Sequence, residues 1–268
     1  AASDVYKRQG EVHRDQHIPL GVRSRLRLYA AQCILKLATC DAYASLILPR
    51  MGRLSYALQD ECFQVRMHLL HDLLLYLMRN ELPTEFHAAI FLVAFDPEDE
   101  PRVQVASYTR RLQVLPPIVR HERLERIIVR FLHLLAHHPD LNVESPQTMC
   151  SFSRYLEFYL ACVACEANVG VLARFTACVR TYIDLSLSEP SVENSRPLYA
   201  MAELAQFLIQ RLADNHGWTI YPVDEEAPCP TDILRSTGTV ARSVLDGEVW
   251  ELLQQQPRRH RDKKTKVA

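Results

Sequence analysis

The chain has 268 residues, 48% of them hydrophobic and 24% charged, a balance that suits a globular protein with a sizeable core. Only seven glycines occur. Phosphate-cradling loops and tight hairpins both need residues that tolerate positive φ, so few can be built here. A formal net charge of −1 excludes the body as a whole as an electrostatic trap for nucleic acid.

The chain opens on Ala1–Gln9 (AASDVYKRQ), without a methionine. This segment resembles translated sequencing-adapter read-through and is set aside from fold reasoning. The rest is then expected to be the C-terminal part of a longer protein. Residues 10–222 read as a helical body. Leu26, Ala30, Cys33, Ile34 and Leu37 fall on one face of a 3.6-residue helix, which predicts a core-facing stripe. Helices are predicted next at 43–57, 61–79, 84–95 and 99–113. Leu124, Ile127, Ile128, Phe131 and Leu135 then repeat the helical spacing, with Glu125, Arg126 and Arg130 assigned to the opposite, solvent side. Further helices are predicted at 148–165 and 169–187, and again where Leu198, Met201, Ala202, Ala205, Leu208, Ile209 and Leu212 recur. Pro83, Pro97, Pro116, Pro117, Pro139 and Pro190 fall between these segments, where proline stops or opens a helix. No segment sustains a period of two with turn chemistry at both ends, so negligible strand is expected. No run of about 18 apolar residues exists, and no membrane span is expected. Residues 223–268 read as a mostly disordered tail with a basic end, in which Val244–Leu253 has the pattern of one short helix.

Two junctions resemble each other. Asp60-Glu61-Cys62-Phe63-Gln64-Val65-Arg66 and Asp96-Pro97-Glu98-Asp99-Glu100-Pro101-Arg102-Val103 each place an acidic residue ahead of an Arg beside a Val. Arg23 or Arg25 takes the comparable place earlier. The interval is about 36–41 residues, the size of a helix-pair repeat. Such a pair cannot bury its apolar face alone, so it stacks on its neighbours. The expected fold is all-α, a HEAT/armadillo-type α-solenoid of stacked antiparallel helix pairs. Asp60 and Asp96 are expected to cap helices, and Asp60, Arg66, Asp96 and Arg102 to bridge adjacent repeats rather than to contact partners.

Arg25–Ala31 (RLRLYAA), Asp60–Arg66 (DECFQVR) and His133–Asp140 (HLLAHHPD) follow in that order, with Leu198-Tyr199 and Pro228-Cys229-Pro230 after them. Together they resemble the C-terminal repeats of the precocious-dissociation-of-sisters family, the HEAT-repeat regulators of cohesin, over residues 20–235. The resemblance implies a nuclear, chromatin-associated and non-catalytic scaffold in sister chromatid cohesion. It implies binding to the kleisin subunit of cohesin and to the wings-apart-like releasing factor, mainly through repeats upstream of these residues. A helical-repeat scaffold of nuclear transport or vesicle trafficking is the competing expectation.

Cys162-Val163-Ala164-Cys165 has the C-x-x-C spacing but ends an apolar helix and has no second ligand pair, so core packing is expected. Cys33, Cys62, Cys150 and Cys178 likewise sit in apolar helical patterns, where a thiol behaves as a small hydrophobe. His133 and His137 stand one helical turn apart without the acidic residue of H-E-x-x-H, and His138 reads as a partly protonated helix terminus. No metal and no cofactor are expected. Asp96, Glu98, Asp99 and Glu100 read as capping carboxylates, and no nucleophile elbow or P-loop occurs, so no enzyme is expected. The basic end, Arg258, Arg259, Arg261, Lys263, Lys264 and Lys266, is the candidate for nuclear localisation or a weak nucleic-acid contact.

Overall fold

The computed structural model describes residues 18–222 and 229–255. The segment Ala1–Gln9 and the basic end Arg258–Lys266 lie outside them.

The fold is an all-α helical-repeat solenoid. Helix α1 (Leu20–Leu37) packs on α4 (Phe63–Met78), with a broken segment between them. That segment runs as α2 (Asp41–Ile47), a 3₁₀ turn (Leu48–Arg50), α3 (Met51–Ser55) and a second 3₁₀ turn (Tyr56–Gln59). One helix was expected over 43–57. Pro49 supplies no backbone N–H, so the ladder is cut there. Two residues beyond the end of α4, Asn80 reverses the chain with a φ of 57°.

Residues Thr84–Phe95 form a long 3₁₀ segment rather than an α-helix, and Phe86 to Ala94 are all buried. A segment apolar on every side belongs at the centre of a core, and α5 (Asp99–Gln113), α7 (Ile127–Ala136) and α8 (Pro146–Val163) all pack around it. Phe91 contacts Phe131 and Tyr159 at ring-centroid distances of 5.7 and 4.9 Å. The Tyr159 hydroxyl donates to the Leu124 carbonyl at 2.5 Å. A short α6 (Pro117–Arg120) and one π-helical turn (His121–Glu125) lead into α7. Helix α8 opens on Pro146, with the Ser145 hydroxyl accepting the Thr148 N–H.

Three further sequence expectations are corrected by the packing. First, the Leu26–Ala30–Cys33–Ile34–Leu37 stripe of α1 faces outward, and the buried positions are Arg27, Ala31 and Leu35. The helix is apolar on two sides, and only one of them meets α4. Second, Glu125 and Arg130 are not on a solvent face: both are buried, because α7 is enclosed by the 3₁₀ segment, α9 and α10. Third, the helix predicted over 169–187 stops early. It forms α9 (Val169–Val179), and Tyr182–Asp184 becomes strand β1, paired antiparallel with β2 (Leu234–Ser236). The partner lies 50 residues away, so no local turn signal announces it.

Helix α10 (Arg196–His216) contacts α7, α8 and α9, and ends at Gly217 in the left-handed region, with Trp218 N–H returning to the Ala213 carbonyl. Much of the segment read as a disordered tail is folded. Cys229, Ile233, Leu234 and Leu245 are buried, and α11 (Gly247–Gln255) lays Val249 and Leu253 against the body beside α8. Among the described residues, no helix is long and apolar enough to cross a membrane.

Candidate interaction site

An Arg–Asp ladder runs along the first repeats. Arg27 on α1 donates from Nε to Asp60 Oδ2 at 2.7 Å and from Nη2 to Oδ1 at 3.0 Å. One repeat further, Arg66 on α4 donates to the two oxygens of Asp96 at 2.7 and 3.2 Å. All four side chains are buried. Each Asp also accepts the N–H two residues ahead, Cys62 for Asp60 and Glu98 for Asp96, so it shapes the chain before the helix instead of occupying the N-cap itself. Arg66 further donates to the Asp60 carbonyl at 2.8 Å, and Arg102 bonds the Asp96 carbonyl in the same way. The six-residue Asp-to-Arg spacing is therefore a local clamp, and the cross-pairing joins one clamp to the next. Arg102 closes onto Asp99 of its own helix turn. The earlier arginine of the series is Arg27, not Arg23 or Arg25. The signal was present, since Arg27 precedes Arg66 by 39 positions.

Beside the ladder lies a cavity of about 820 Å³, between residues 48–59 and the C-terminal half of α7. Arg50, Arg53, Arg130, His133, His137 and His138 contribute cationic or imidazole groups to its wall, and Glu61 and Asp140 the acidic ones. Tyr56 donates to the Leu134 carbonyl at 3.0 Å and fixes one side. His138 is buried, and burial holds its imidazole below the ordinary value despite the nearby Asp140. Its Nδ1 accepts the Asp140 N–H, so Nε2 donates to Gln59 Oε1 at 2.8 Å. It is a buried histidine bonded through both ring nitrogens rather than the partly protonated helix terminus expected.

At the other end of the wall, His133 and His137 turn their Nε2 atoms to one carboxylate. Nε2 of His133 is 3.2 Å from Asp184 Oδ1 and 3.0 Å from Ser186 Oγ, and Nε2 of His137 is 2.6 Å from Asp184 Oδ2. Burial pushes the Asp184 carboxyl up, but the bonds and charges of the two imidazoles outweigh it and leave the group below the ordinary carboxylate range. Burial pushes His133 down. Ser186, His133 and Asp184 are not a catalytic relay. Both oxygens meet the same ring nitrogen, whereas a relay needs the hydroxyl on one nitrogen and the carboxylate on the other.

Two further polar contacts were invisible in the pattern. Glu203, buried on α10, accepts the Ser243 hydroxyl at 2.9 Å and the N–H groups of Val244 and Leu245 at 3.1 and 3.2 Å. Arg130 meets Asp232 at 2.5 Å. Both tie residues 229–255 to the helices. The thiols also divide more finely than expected. Cys33 and Cys40 are exposed, only Cys162 and Cys229 are buried, and burial pushes Cys162 up to about 11. Hydrogen bonding from the Cys229 thiol holds Cys178 below the usual thiol value and Cys229 above it.

Stacked helix segments, clamped by repeated buried ion pairs, define a helical-repeat protein of the HEAT type. The chain belongs to the family of the sister chromatid cohesion protein PDS5, whose family model matches residues 3–235. That match begins inside the segment Ala1–Gln9. The chain is 27% identical to sister chromatid cohesion protein pds5 of Schizosaccharomyces pombe over 227 residues, 84% of this chain and 18% of the relative. It is 23% identical over 255 residues to PDS5 of Saccharomyces cerevisiae, 87% of this chain and 20% of the relative. Over 145 residues it is 34% identical to PDS5 homolog A of Danio rerio, 50% of this chain and 11% of the relative. The chain thus spans about a fifth of the length of the two yeast relatives.

Proposed function

We propose that this chain is part of a non-catalytic, nuclear scaffold that regulates cohesin in sister chromatid cohesion by binding other proteins. The observation that carries the reading is the family match across most of the chain, to relatives named for sister chromatid cohesion. The repeat architecture agrees with it: stacked helices present a long surface of helix ends and faces, which suits an extended partner segment. The partners proposed are the kleisin subunit of cohesin and the wings-apart-like releasing factor. Contact with chromatin is then indirect, with a weak addition from the basic end, Arg258 to Lys266. The test is to tag the full-length protein in its own cells and recover its partners after nuclease treatment. Cohesin subunits are expected to be enriched, and depletion of the protein is expected to loosen sister chromatids. Recovery of coat or nuclear-pore components, with cohesion intact, would overturn the proposal in favour of a transport scaffold.

A further inference from the structure

We infer that His133, His137 and Asp184 form a binding site for a zinc-class divalent metal ion, opening on the cavity beside α7. Three observations combine. His133 and His137 lie one helical turn apart with ring centroids 4.5 Å from each other. Both direct Nε2 at the two oxygens of one carboxylate, and one ligand atom from each residue falls within a common 4.8 Å. The carboxylate is held in advance. Asp184 is buried, Ser186 N–H donates to its Oδ1 at 2.8 Å, and its backbone N–H is bound by Ser195 Oγ at 3.0 Å. The pairing of β1 with β2 then fixes the strand that carries it.

Two imidazoles and one carboxylate are the ligand types that borderline divalent ions take, at about 2.0–2.2 Å from each atom, with a fourth position left to water or a bound ligand. Around a tetrahedral ion ligand atoms stand roughly 3.3 Å apart. The distance of 3.2 Å from His133 Nε2 to Asp184 Oδ1 already matches, and His137, whose Nε2 is bonded at 2.6 Å to the other oxygen, Oδ2, has to shift outward to share the ion, which a side chain that is 32% exposed can do. His133, His137 and Ser186 all line the cavity, so the fourth position faces open space. With neutral imidazoles the three ligands carry one negative charge. Arg130, on the same helix as His133, is already paired with Asp232. In sequence the two histidines lacked a third ligand. It arrives from 47 residues beyond His137, by way of a strand.

The full chain, stripped with chelator, is titrated with Co²⁺ alone at neutral pH and followed by visible absorption. One equivalent is expected to bind, with the d–d bands of a nitrogen and oxygen site, no sulfur-to-metal charge transfer, and displacement by Zn²⁺. His137→Ala, at a partly exposed position, and Asp184→Asn should each weaken binding at least about tenfold. The Cys178→Ser, Cys229→Ser double variant should bind as the parent does. Absence of uptake by the parent chain, uptake undiminished in His137→Ala, or thiolate charge-transfer bands lost in the cysteine variant would each overturn the assignment.

Discussion

The Arg66 guanidinium and the Asp96 carboxylate meet through two hydrogen bonds of 2.7 and 3.2 Å, in a place where neither side chain has appreciable access to water. A charge in such surroundings is tolerated because its partner is present, so the two ways of altering the pair should have opposite consequences. Asp96→Ala strands the guanidinium and is expected to cost about 3–5 kcal/mol in denaturant unfolding. The double change Arg66→Met, Asp96→Leu removes both charges and should cost much less. A double variant as unstable as Asp96→Ala would show that charge pairing is not what the site contributes.

Glu203 offers a test of how residues 229–255 are held. Its carboxylate gathers one hydroxyl and two N–H groups from residues 243–245. Glu203→Leu should therefore leave α1 to α10 folded and release α11, seen as faster limited proteolysis within residues 236–255 and little change in helical circular dichroism. Cleavage at the parental rate would mean that Leu245, Val249 and Leu253 alone suffice to dock the segment.

Acid should unfold the protein in two windows. His87 is buried, its Nδ1 3 residues from its partner, the Thr84 carbonyl at 2.7 Å, and its Nε2 against the Tyr108 hydroxyl at 2.9 Å. Burial lowers it to about 4. The unfolded chain therefore takes up this proton first, and stability falls as pH drops from about 6.5 towards 4, by up to about 3 kcal/mol. His133 and His138, lowered by the same cause, act in the same direction. Asp184 is depressed instead, so its contribution is present above the ordinary carboxylate range and is lost only as pH falls below about 4. Thermal melts from pH 7.5 to 4 should show the first slope, and His87→Gln should flatten it. A melting temperature constant to pH 4.5 would rule out neutral buried histidines.

The thiols should react in a definite order. At neutral pH an alkylating reagent followed by peptide mapping is expected to mark Cys178 well before Cys162, because the thiolate is the nucleophile and burial opposes it at Cys162. Cys229→Ala removes the stabilising hydrogen bond and should slow labelling of Cys178. Equal rates at Cys178 and Cys162 would contradict the assignment.

The basic end lies outside the described residues, and its test is cellular. Residues 254–268 fused to a reporter are expected to raise nuclear accumulation, and Ser at Arg258, Arg259, Lys263 and Lys264 should abolish it. Nucleic-acid binding by this segment should weaken steeply with salt, since it would rest on phosphate neutralisation. Tight binding in high salt would point to another mode of contact.

Local pattern alone determined that the protein is a succession of helices, because a 3.6-residue period records which side of each segment avoids water. The Asp–Arg spacing was legible for the same reason: a repeat writes its clamp into the chain at a constant interval, and Asp60, Arg66, Asp96 and Arg102 all carry it. Only the tertiary structure decided which of the two apolar sides of α1 is buried, since that depends on where α4 lies and not on α1 itself. The same holds for Arg130 and Glu125, polar residues whose burial depends on partners such as Asp232 and Asn168, 102 and 43 positions away. The His133–His137–Asp184 cluster belongs to this second kind. Two of its members share a helix and so share a local period, but the third reaches them through a strand pairing, and no periodicity within either segment contains that distance.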